Sequence, residues 1–216
     1  MTSSTRKDIA RGLLEIGAVF LRPDEPFTWA SGIKSPIYCD NRLTLSDPVL
    51  RTKIEVSIAD VIREKYPDTD AIMGTSTAGI PHAAIAAHLL ELPMGYVRGG
   101  SKDHGRKNRI EGRLEPGWQV VVVEDLISTG GSVIDVVEAL REAGARVLGI
   151  VSIFTYGIKA SQERLEAAGV ENNSLTDFET VVEVAFQTER IRCQDIARLM
   201  AFRDNPGDER WIAENL

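Results

Sequence analysis

Apolar and polar positions alternate along the chain in blocks that predict strands separated by helices. Val120–Val123 is an unbroken β-branched run that ends before turn-forming residues, which is typical of a strand buried on both faces of a parallel sheet. Shorter apolar runs predict strands at about Ala71–Gly74, ending at about Gly95–Arg98, and at Val147–Thr155. Because helical patterns of about 10–15 residues separate these runs, their order predicts right-handed βαβ crossovers and an α/β fold.

Helical periodicity fills the segments between the predicted strands. Asp47 or Pro48 is predicted to begin one helix, and Pro81 suits the first turn of an alanine-rich helix. Thr176–Glu179 has the spacing of a capping box ahead of another helix. An amphipathic N-terminal helix is predicted from four apolar residues at helical intervals, namely Ile9, Leu13, Ile16 and Phe20.

The segment after Val123 combines a pair of acids with a loop suited to an anion. Glu124 and Asp125 come first, followed by small hydroxyl and glycine residues and then by a helical pattern. Gly130 and Gly131 allow close backbone approach, and the helix directs its positive N-terminus at the ligand. Since paired carboxylates would repel a bare phosphate, we expect a phosphate at one end of the ligand and hydroxyls or a metal ion at the other. A sugar phosphate fits, whereas the alternative, an ordinary βα turn, needs neither acids nor hydroxyls.

Two familiar phosphate-binding motifs do not account for this pattern. Gly74–Gly79 has the glycine spacing of a Walker A loop, but Ile80 and Pro81 follow it where Lys and Ser or Thr are required. No G-x-G-x-x-G segment opens a helix, so the dinucleotide fingerprint is absent from the sequence. Thr75–Gly79 again combines hydroxyls with a glycine and a helix start, and it suits either a second phosphate site or a simple βα turn.

Length and composition favour one soluble α/β domain with an appendage. The chain has 216 residues, is 43% hydrophobic, and contains no apolar run long enough to span a membrane. Glu15 interrupts the single apolar stretch that resembles a signal peptide. Cys39 and Cys193 match no metal or redox spacing, which suits a reducing cytoplasm. The formal charge of −7 argues against a nucleic-acid partner.

One local segment opposes this acidic balance. Gly99–Gly112 is a long glycine-rich loop with Lys102, Asp103 and His104 at its centre, which suits a lid that carries charge onto a ligand and excludes water. A solvated charged face is the alternative interpretation. The basic residues of the wider segment are Arg98, Lys102, Arg106, Lys107, Arg109 and Arg113.

Four segments resemble the orotate phosphoribosyltransferases of the type I phosphoribosyltransferase family. VVVVEDLISTGGS, at Val120–Ser132, resembles the phosphoribosyl-pyrophosphate loop found throughout that family. Phe27–Pro36 (FTWASGIKSP) and Arg98–Gly105 (RGGSKDHG) resemble segments characteristic of the orotate enzymes, and Gly74–Pro81 (GTSTAGIP) accompanies them. Together the four motifs cover most of residues 20–160.

The resemblance implies an open, mainly parallel sheet flanked by helices, with a small N-terminal hood. The chain would be a single domain over residues 1–216, with residues about 1–45 contributing the hood. It implies a homodimer with shared active sites, because the loop of one subunit reaches into its neighbour's site. The implied reaction joins orotate to 5-phospho-α-D-ribose 1-diphosphate (PRPP), giving orotidine 5′-phosphate and diphosphate in pyrimidine synthesis, with Mg²⁺ held mainly by the substrate rather than by protein ligands.

The resemblance also implies roles for individual residues. Lys102, Asp103 and His104 would form the catalytic loop, and Arg98, Lys102 and His104 would contact the diphosphate. Ser128 would touch orotate, and Lys34 could contribute to orotate binding. The ribose hydroxyls and the 5′-phosphate would be held by Glu124, Asp125, Leu126, Ile127, Ser128, Thr129, Gly130, Gly131 and Ser132.

The sequence departs from some orotate enzymes at positions near the base. Some of those enzymes carry Lys in place of Ala30, two aromatic residues in place of Tyr38–Cys39, and Lys in place of Ala78. Some also carry an Arg near the position of Tyr156. The alternatives are therefore a phosphoribosyltransferase for another base, against which the orotate-like segment Phe27–Arg42 argues, and a non-catalytic regulator that senses PRPP. Such a regulator would be expected to add a basic DNA-binding module, whereas this chain is acidic.

Overall fold

A six-stranded, mainly parallel sheet forms the centre of the computed structural model, which describes residues 2–29, 32–99 and 109–212. The described strands are β1 (Val19–Leu21), β2 (Phe27–Thr28), β3 (Lys34–Ser35), β4 (Ile37–Cys39), β5 (Ala71–Thr75), β6 (Met94–Val97), β7 (Ile110–Glu111), β8 (Gln119–Ile127), β9 (Arg146–Thr155) and β10 (Asn172–Asp177). The described α-helices are α1 (Ser3–Glu15), α2 (Pro48–Lys65), α3 (Gly79–Leu90), α4 (Gly131–Glu142), α5 (Lys159–Ala167), α6 (Phe178–Gln187) and α7 (Cys193–Asp204).

The strand order creates a reversal point in the middle of the sheet. The order is β10-β9-β8-β5-β6-β7, and every pair is parallel except β6 with the short β7. After β5 the chain builds outward through β6 and β7, whereas after β8 it builds outward in the opposite direction. Ligands of open α/β sheets bind where the strand order reverses, outside the carboxyl ends of the strands. The fold therefore points to the ends of β5 and β8.

Helices cover both faces of the sheet, which confirms the predicted fold class. Ile72, Val121 and Val123 face α1, α2, α3 and α6, whereas Met73 and Val122 face α4 and α5. The four valines of the predicted central strand are fully buried. Each fully buried valine contributes roughly 1.5–3 kcal/mol of transfer free energy. Across the described ranges, no helix combines the length and the apolar character that crossing a bilayer requires.

Short strands and a 3₁₀ helix lie between α1 and α2. Strands β1 and β4 pair antiparallel, and so do β2 and β3. The 3₁₀ helix Asn41–Ser46 follows β4 and leads to α2. Asp47 caps α2 by accepting hydrogen bonds from the N–H groups of Val49 and Leu50, and Pro48 stands in its first turn, as predicted.

Three local predictions are wrong in detail. The N-terminal helix ends at Glu15, because Gly17 takes a left-handed conformation (φ +68°), and Phe20 therefore lies in β1. The cap of α6 is Asp177 rather than Thr176, since the Asp177 carboxylate accepts from the N–H of Thr180. The central strand also continues through Ile127, so its last residues belong to β8 rather than to the loop.

Candidate active site

A cleft of about 720 Å³ opens at the reversal point between β5 and β8. Its walls come from the carboxyl ends of these two strands, from the segment after β4 and from the first turns of α4. Its described lining includes Asn41, Thr75, Arg109, Glu124, Asp125, Leu126, Ser132 and Asp135. A cleft of about 670 Å³ lies beside α5 and β10, but its described lining contains neither the acid pair nor Ser132. The chemistry predicted from the sequence therefore converges on the first cleft.

The acid pair occupies the end of β8. Oε1 of Glu124 accepts hydrogen bonds from the Thr75 hydroxyl at 2.7 Å and from the N–H of Asp125 at 2.9 Å. Burial raises the pKa of Glu124 to about 8, and the neighbouring Asp125 carboxylate raises it further by hydrogen bonding and by its charge. Glu124 therefore retains its proton near neutral pH, and the oxygens of Glu124 and Asp125 can hold sugar hydroxyls.

The loop that follows supplies an uncapped helix N-terminus. Gly130 has φ +79° at the N-cap position of α4, and no side chain caps the helix there. The first N–H groups of α4 are therefore available to an anion. Ser132, in the first turn, lines the cleft. The guanidinium of Arg164, on α5, donates to the carbonyl of Thr129 at 3.3 Å and so ties the loop to a neighbouring helix.

Other residues of this segment point elsewhere. The Ile127 side chain is buried in the core between the sheet and α4, so it packs rather than faces the cleft. Leu126 lines the cleft and also packs against the opposite core. Of the predicted binding segment, the residues that line the cleft are Glu124, Asp125, Leu126 and Ser132; its described lining does not include Ile127, Ser128, Thr129, Gly130 or Gly131.

Asn41 is a site residue that the sequence interpretation missed. Its side-chain amide donates to the carbonyl of Asp125 at 2.6 Å, and its Oδ1 accepts from the Cys39 thiol at 3.2 Å. The side chain is buried, and it joins the segment after β4 to the acid pair. Burial raises the pKa of the Cys39 thiol, with a further contribution from the charge of Asp125. An asparagine within a turn-rich segment gives no local signal of this contact.

The predicted cationic residues are distributed differently. Nε of Arg98 lies 3.2 Å from the Glu111 carboxylate, and the Lys34 ammonium donates to the Thr28 hydroxyl at 2.7 Å. Neither belongs to the described lining of the cleft, whereas Arg109 does. The three predicted catalytic residues, Lys102, Asp103 and His104, lie outside the described residues, and so does Ala30.

The residues around the cleft fit a metal ion that arrives with the substrate. Within the described ranges, no group of three or more His, Cys, Asp or Glu side chains could hold a metal ion alone. Glu124 and Asp125 are carboxylates of the kind that accept hydrogen bonds from sugar hydroxyls or from the water shell of Mg²⁺. These two carboxylates therefore fit a hydrated ion at this cleft.

Comparison with curated proteins gives close relatives over nearly the whole chain. A family model for the phosphoribosyl transferase domain matches residues 48–188. An orotate phosphoribosyltransferase from Bacillus anthracis is 56% identical over 207 residues, which are 96% of this chain and 99% of that protein. An orotate phosphoribosyltransferase from Bacillus cereus (strain G9842) has the same identity and coverage.

Solved structures share the fold. The crystal structure of orotate phosphoribosyltransferase from Aeropyrum pernix matches with a TM-score of 0.74 and 32% identity, over 83% of this chain and 98% of that chain. The UMP synthase of Leishmania donovani matches with a TM-score of 0.78 and 26% identity, over 94% of this chain, which spans 42% of that longer protein. With the family model and the curated relatives, these similarities establish that the chain belongs to the orotate phosphoribosyltransferase family.

Proposed function

We infer that the protein transfers the 5-phosphoribosyl group of PRPP to orotate, giving orotidine 5′-phosphate and diphosphate in pyrimidine biosynthesis. The observation that carries this inference is the juxtaposition, in one cleft, of the Glu124–Asp125 pair and the uncapped N-terminus of α4. The first suits ribose hydroxyls and the second suits the 5′-phosphate. The names of the curated relatives that are 56% identical supply the base, orotate.

The reaction needs no protein nucleophile. N1 of orotate forms a bond to C1 of the ribose while the bond from C1 to the diphosphate oxygen breaks; diphosphate leaves with the electron pair, and the N1 proton is released to it or to water. The ring gains oxocarbenium character as this bond breaks, as in glycoside cleavage. Carboxylate charge on Asp125 favours that positive ring, and the oxygens of Asp125 and Glu124 orient its hydroxyls. When bound, Mg²⁺ neutralises charge on the diphosphate oxygens.

We propose that the segment containing Lys102, Asp103 and His104 closes the site and stabilises the leaving diphosphate. This proposal rests on the RGGSKDHG resemblance and on the antiparallel pair β6–β7, which brings the two ends of the segment together. Because Lys102 would act on developing charge, Lys102→Ala is expected to lower kcat by roughly 10²–10³ with the fold intact. Turnover at the wild-type rate would remove Lys102 from catalysis.

We further propose a homodimer in which each catalytic segment serves the neighbouring subunit's cleft. The test mixes two inactive variants, Lys102→Ala and Asp125→Asn, whose defects lie in different parts of a shared site. Hybrid dimers carry one site with neither defect, so activity should partly return. Absence of recovery after verified subunit exchange would count against the shared site.

The deciding assay supplies Mg²⁺, PRPP and a panel of free bases, and it follows the loss of orotate absorbance. Turnover of orotate alone supports the proposed function, whereas turnover of uracil or a purine base assigns another specificity. PRPP binding without turnover of any base would support a sensing role instead. We place the reaction in the cytoplasm, since both cysteines are free thiols, and we expect no nucleic-acid partner for a chain of net charge −7.

A further inference from the structure

Arg109 connects two walls of the cleft through three polar contacts. Its carbonyl accepts from the N–H of Arg98 at 2.8 Å, and its Nε donates to the carbonyl of Arg98 at 2.9 Å. Its Nη2 donates to the Asp135 carboxylate at 2.7 Å. Arg98 directly follows β6, whereas Asp135 belongs to α4, so one side chain joins the two elements.

The Arg109 side chain is more buried than that of an ordinary surface arginine. Only 12% of the Arg109 side chain is exposed, against 80% for Arg113, which pairs with Glu115 outside the cleft. Arg109 and Asp135 both line the cleft. The Asp135 side chain is 46% exposed, so the pair is part-buried, and a part-buried ion pair with an added hydrogen bond holds its geometry better than an exposed pair of flexible side chains.

The chemistry of guanidinium explains why arginine stands here. Its planar fork presents donors in fixed directions, so Nε and Nη2 reach a carbonyl and a carboxylate on different elements at once. A lysine ammonium in the same place keeps the charge but cannot hold both acceptors in that plane. The contact therefore depends on the shape of the group as well as on its charge.

We propose that Arg109 is a positioning residue for PRPP, fixing the end of β6 against the first turns of α4. This inference rests on the proposed function, in which α4 binds the 5′-phosphate and the diphosphate lies toward the end of β6, where Gly99 lines the same cleft. A substrate with anionic groups at both ends binds well only when the two walls keep a fixed separation. Arg109 sets that separation, so its loss is expected to weaken PRPP binding more than orotate binding.

The sheet and the core hold the fold without this contact. Strands β6 and β7 pair through Tyr96 with Glu111 and through Val97 with Ile110, and α4 is anchored by buried Val133 and Val137. Loss of the Arg109 side chain is therefore expected to change substrate binding more than stability.

The experiment compares Arg109→Ala, Arg109→Lys and Asp135→Asn with the matched control Arg113→Ala. Measurements are KM for PRPP, KM for orotate, kcat, the melting temperature and the calorimetric Kd for PRPP with Mg²⁺. In the Arg109 variants, KM and Kd for PRPP should rise about tenfold while KM for orotate stays within about twofold. The control should match the wild type in every measurement.

A double variant tests whether Arg109 and Asp135 act as one unit. If they do, Arg109→Ala with Asp135→Ala should weaken PRPP binding no more than Arg109→Ala alone, because the contact is already lost. Equal rises in KM for both substrates, multiplicative effects in the double variant, or a PRPP Kd within twofold of the control would overturn the inference. Turnover of orotate by the wild-type protein tests the proposed function separately. The Kd for PRPP tests the positioning role of Arg109 even if orotate is not the acceptor.

Discussion

The Thr75 hydroxyl donates a 2.7 Å hydrogen bond to Oε1 of Glu124, joining the ends of the two strands at the reversal point of the sheet. The same hydroxyl lies 3.3 Å from the carbonyl of Val123, so both of its acceptors belong to β8. Thr75 is itself buried, and its bond to Glu124 opposes the rise in the pKa of Glu124 that burial causes. A residue outside the acid pair thus adjusts the charge of that pair.

Replacement of Thr75 by valine is expected to weaken PRPP binding. Valine keeps the shape but removes the donor, so ionised Glu124 loses a hydrogen bond while it remains buried. A hydrogen bond to a charged group contributes about 1.5–3 kcal/mol, so the Kd for PRPP at pH 8 should rise at least about tenfold. Calorimetric titration with PRPP and Mg²⁺ measures the change.

Thr69→Val is the matched control for this substitution. The Thr69 hydroxyl is also buried, and it donates to the carbonyl of Tyr66 at 2.7 Å, ahead of β5 and away from the cleft. It should lower stability without changing the PRPP Kd. Equal losses of affinity in the two variants would show that the Thr75 effect is a general consequence of lost stability.

The buried Glu124 carboxyl should make stability depend on pH. Its pKa is about 8 in the folded protein against an ordinary 4.5, so between these values the unfolded chain releases a proton that the folded chain retains. The free energy of unfolding therefore falls as pH rises through this window and levels off above it. Glu124→Gln cannot ionise and keeps an accepting oxygen for Thr75, so it should lack this fall.

The comparison uses urea unfolding of wild type and Glu124→Gln at pH 5, 7 and 8.5. Relative to wild type, the variant should gain at least about 1 kcal/mol between the lowest and highest pH, the equivalent of roughly one unit of pKa shift. Glu163→Gln, on an exposed part of α5, serves as the control and should follow the wild-type curve. Parallel curves for Glu124→Gln and wild type would contradict the raised pKa.

The sequence predicts the strands that are buried on both faces, because such strands consist largely of consecutive apolar residues. Val120–Val123 and Val147–Thr155 are covered on both faces, and both were found from their composition. Strand β10 was not, because it is the polar edge strand NNSLTD, held by its ladder with β9 and by the hydrogen bond between Ser152 and Ser174. Strand β7 has only two residues within a segment that composition marks as a loop.

The site likewise contains residues that a local sequence pattern predicts and residues that only tertiary contacts bring to the cleft. The acid pair and the loop containing Gly130 and Gly131 are predictable because they follow one buried apolar run directly. The contact between Asn41 and Asp125 was not, since 84 residues separate them and neither sequence periodicity nor a motif links them. Contacts between a turn-rich segment and the sheet depend on tertiary packing, which a single sequence does not encode locally.

Asn41→Ala is expected to lower both stability and PRPP affinity. The substitution removes the donor to the Asp125 carbonyl and the acceptor of the Cys39 thiol. Buried groups left without partners cost about 1–3 kcal/mol, and the peptide that carries Asp125 loses its support. Urea unfolding and the KM for PRPP measure the two effects.

Asn173→Ala is the control for Asn41→Ala, since the Asn173 amide donates to the Tyr66 hydroxyl at 2.8 Å, away from the cleft. Asn173→Ala should reduce stability without changing the KM for PRPP. Asn41→Asp adds a further test, because it keeps the acceptor oxygen while placing a carboxylate against the Asp125 carbonyl. A PRPP KM unchanged in both Asn41 variants would show that Asn41 supports the fold without acting on the site.

Two glycines at the cleft should respond in opposite ways to alanine. A Cβ at Gly79 would lie 2.3 Å from the Thr75 hydroxyl oxygen and 2.6 Å from the Val123 carbonyl oxygen, whereas a Cβ at Gly131 meets nothing within 4 Å. Gly79→Ala should therefore destabilise the protein by about 1–3 kcal/mol through overpacking. Gly131→Ala, in the first turn of α4, should leave stability unchanged or raise it by up to about 1 kcal/mol.

Gly131→Ala should weaken PRPP binding although it does not lower stability, because the backbone of Gly131 lies where the 5′-phosphate is proposed to approach α4. A methyl group there leaves the folded protein undisturbed but blocks close approach of the phosphate, so the PRPP Kd should rise about tenfold or more. Thermal unfolding and calorimetry on the same samples separate the two quantities. A Gly131→Ala protein that is as stable as wild type and binds PRPP equally well would place the phosphate elsewhere in the cleft.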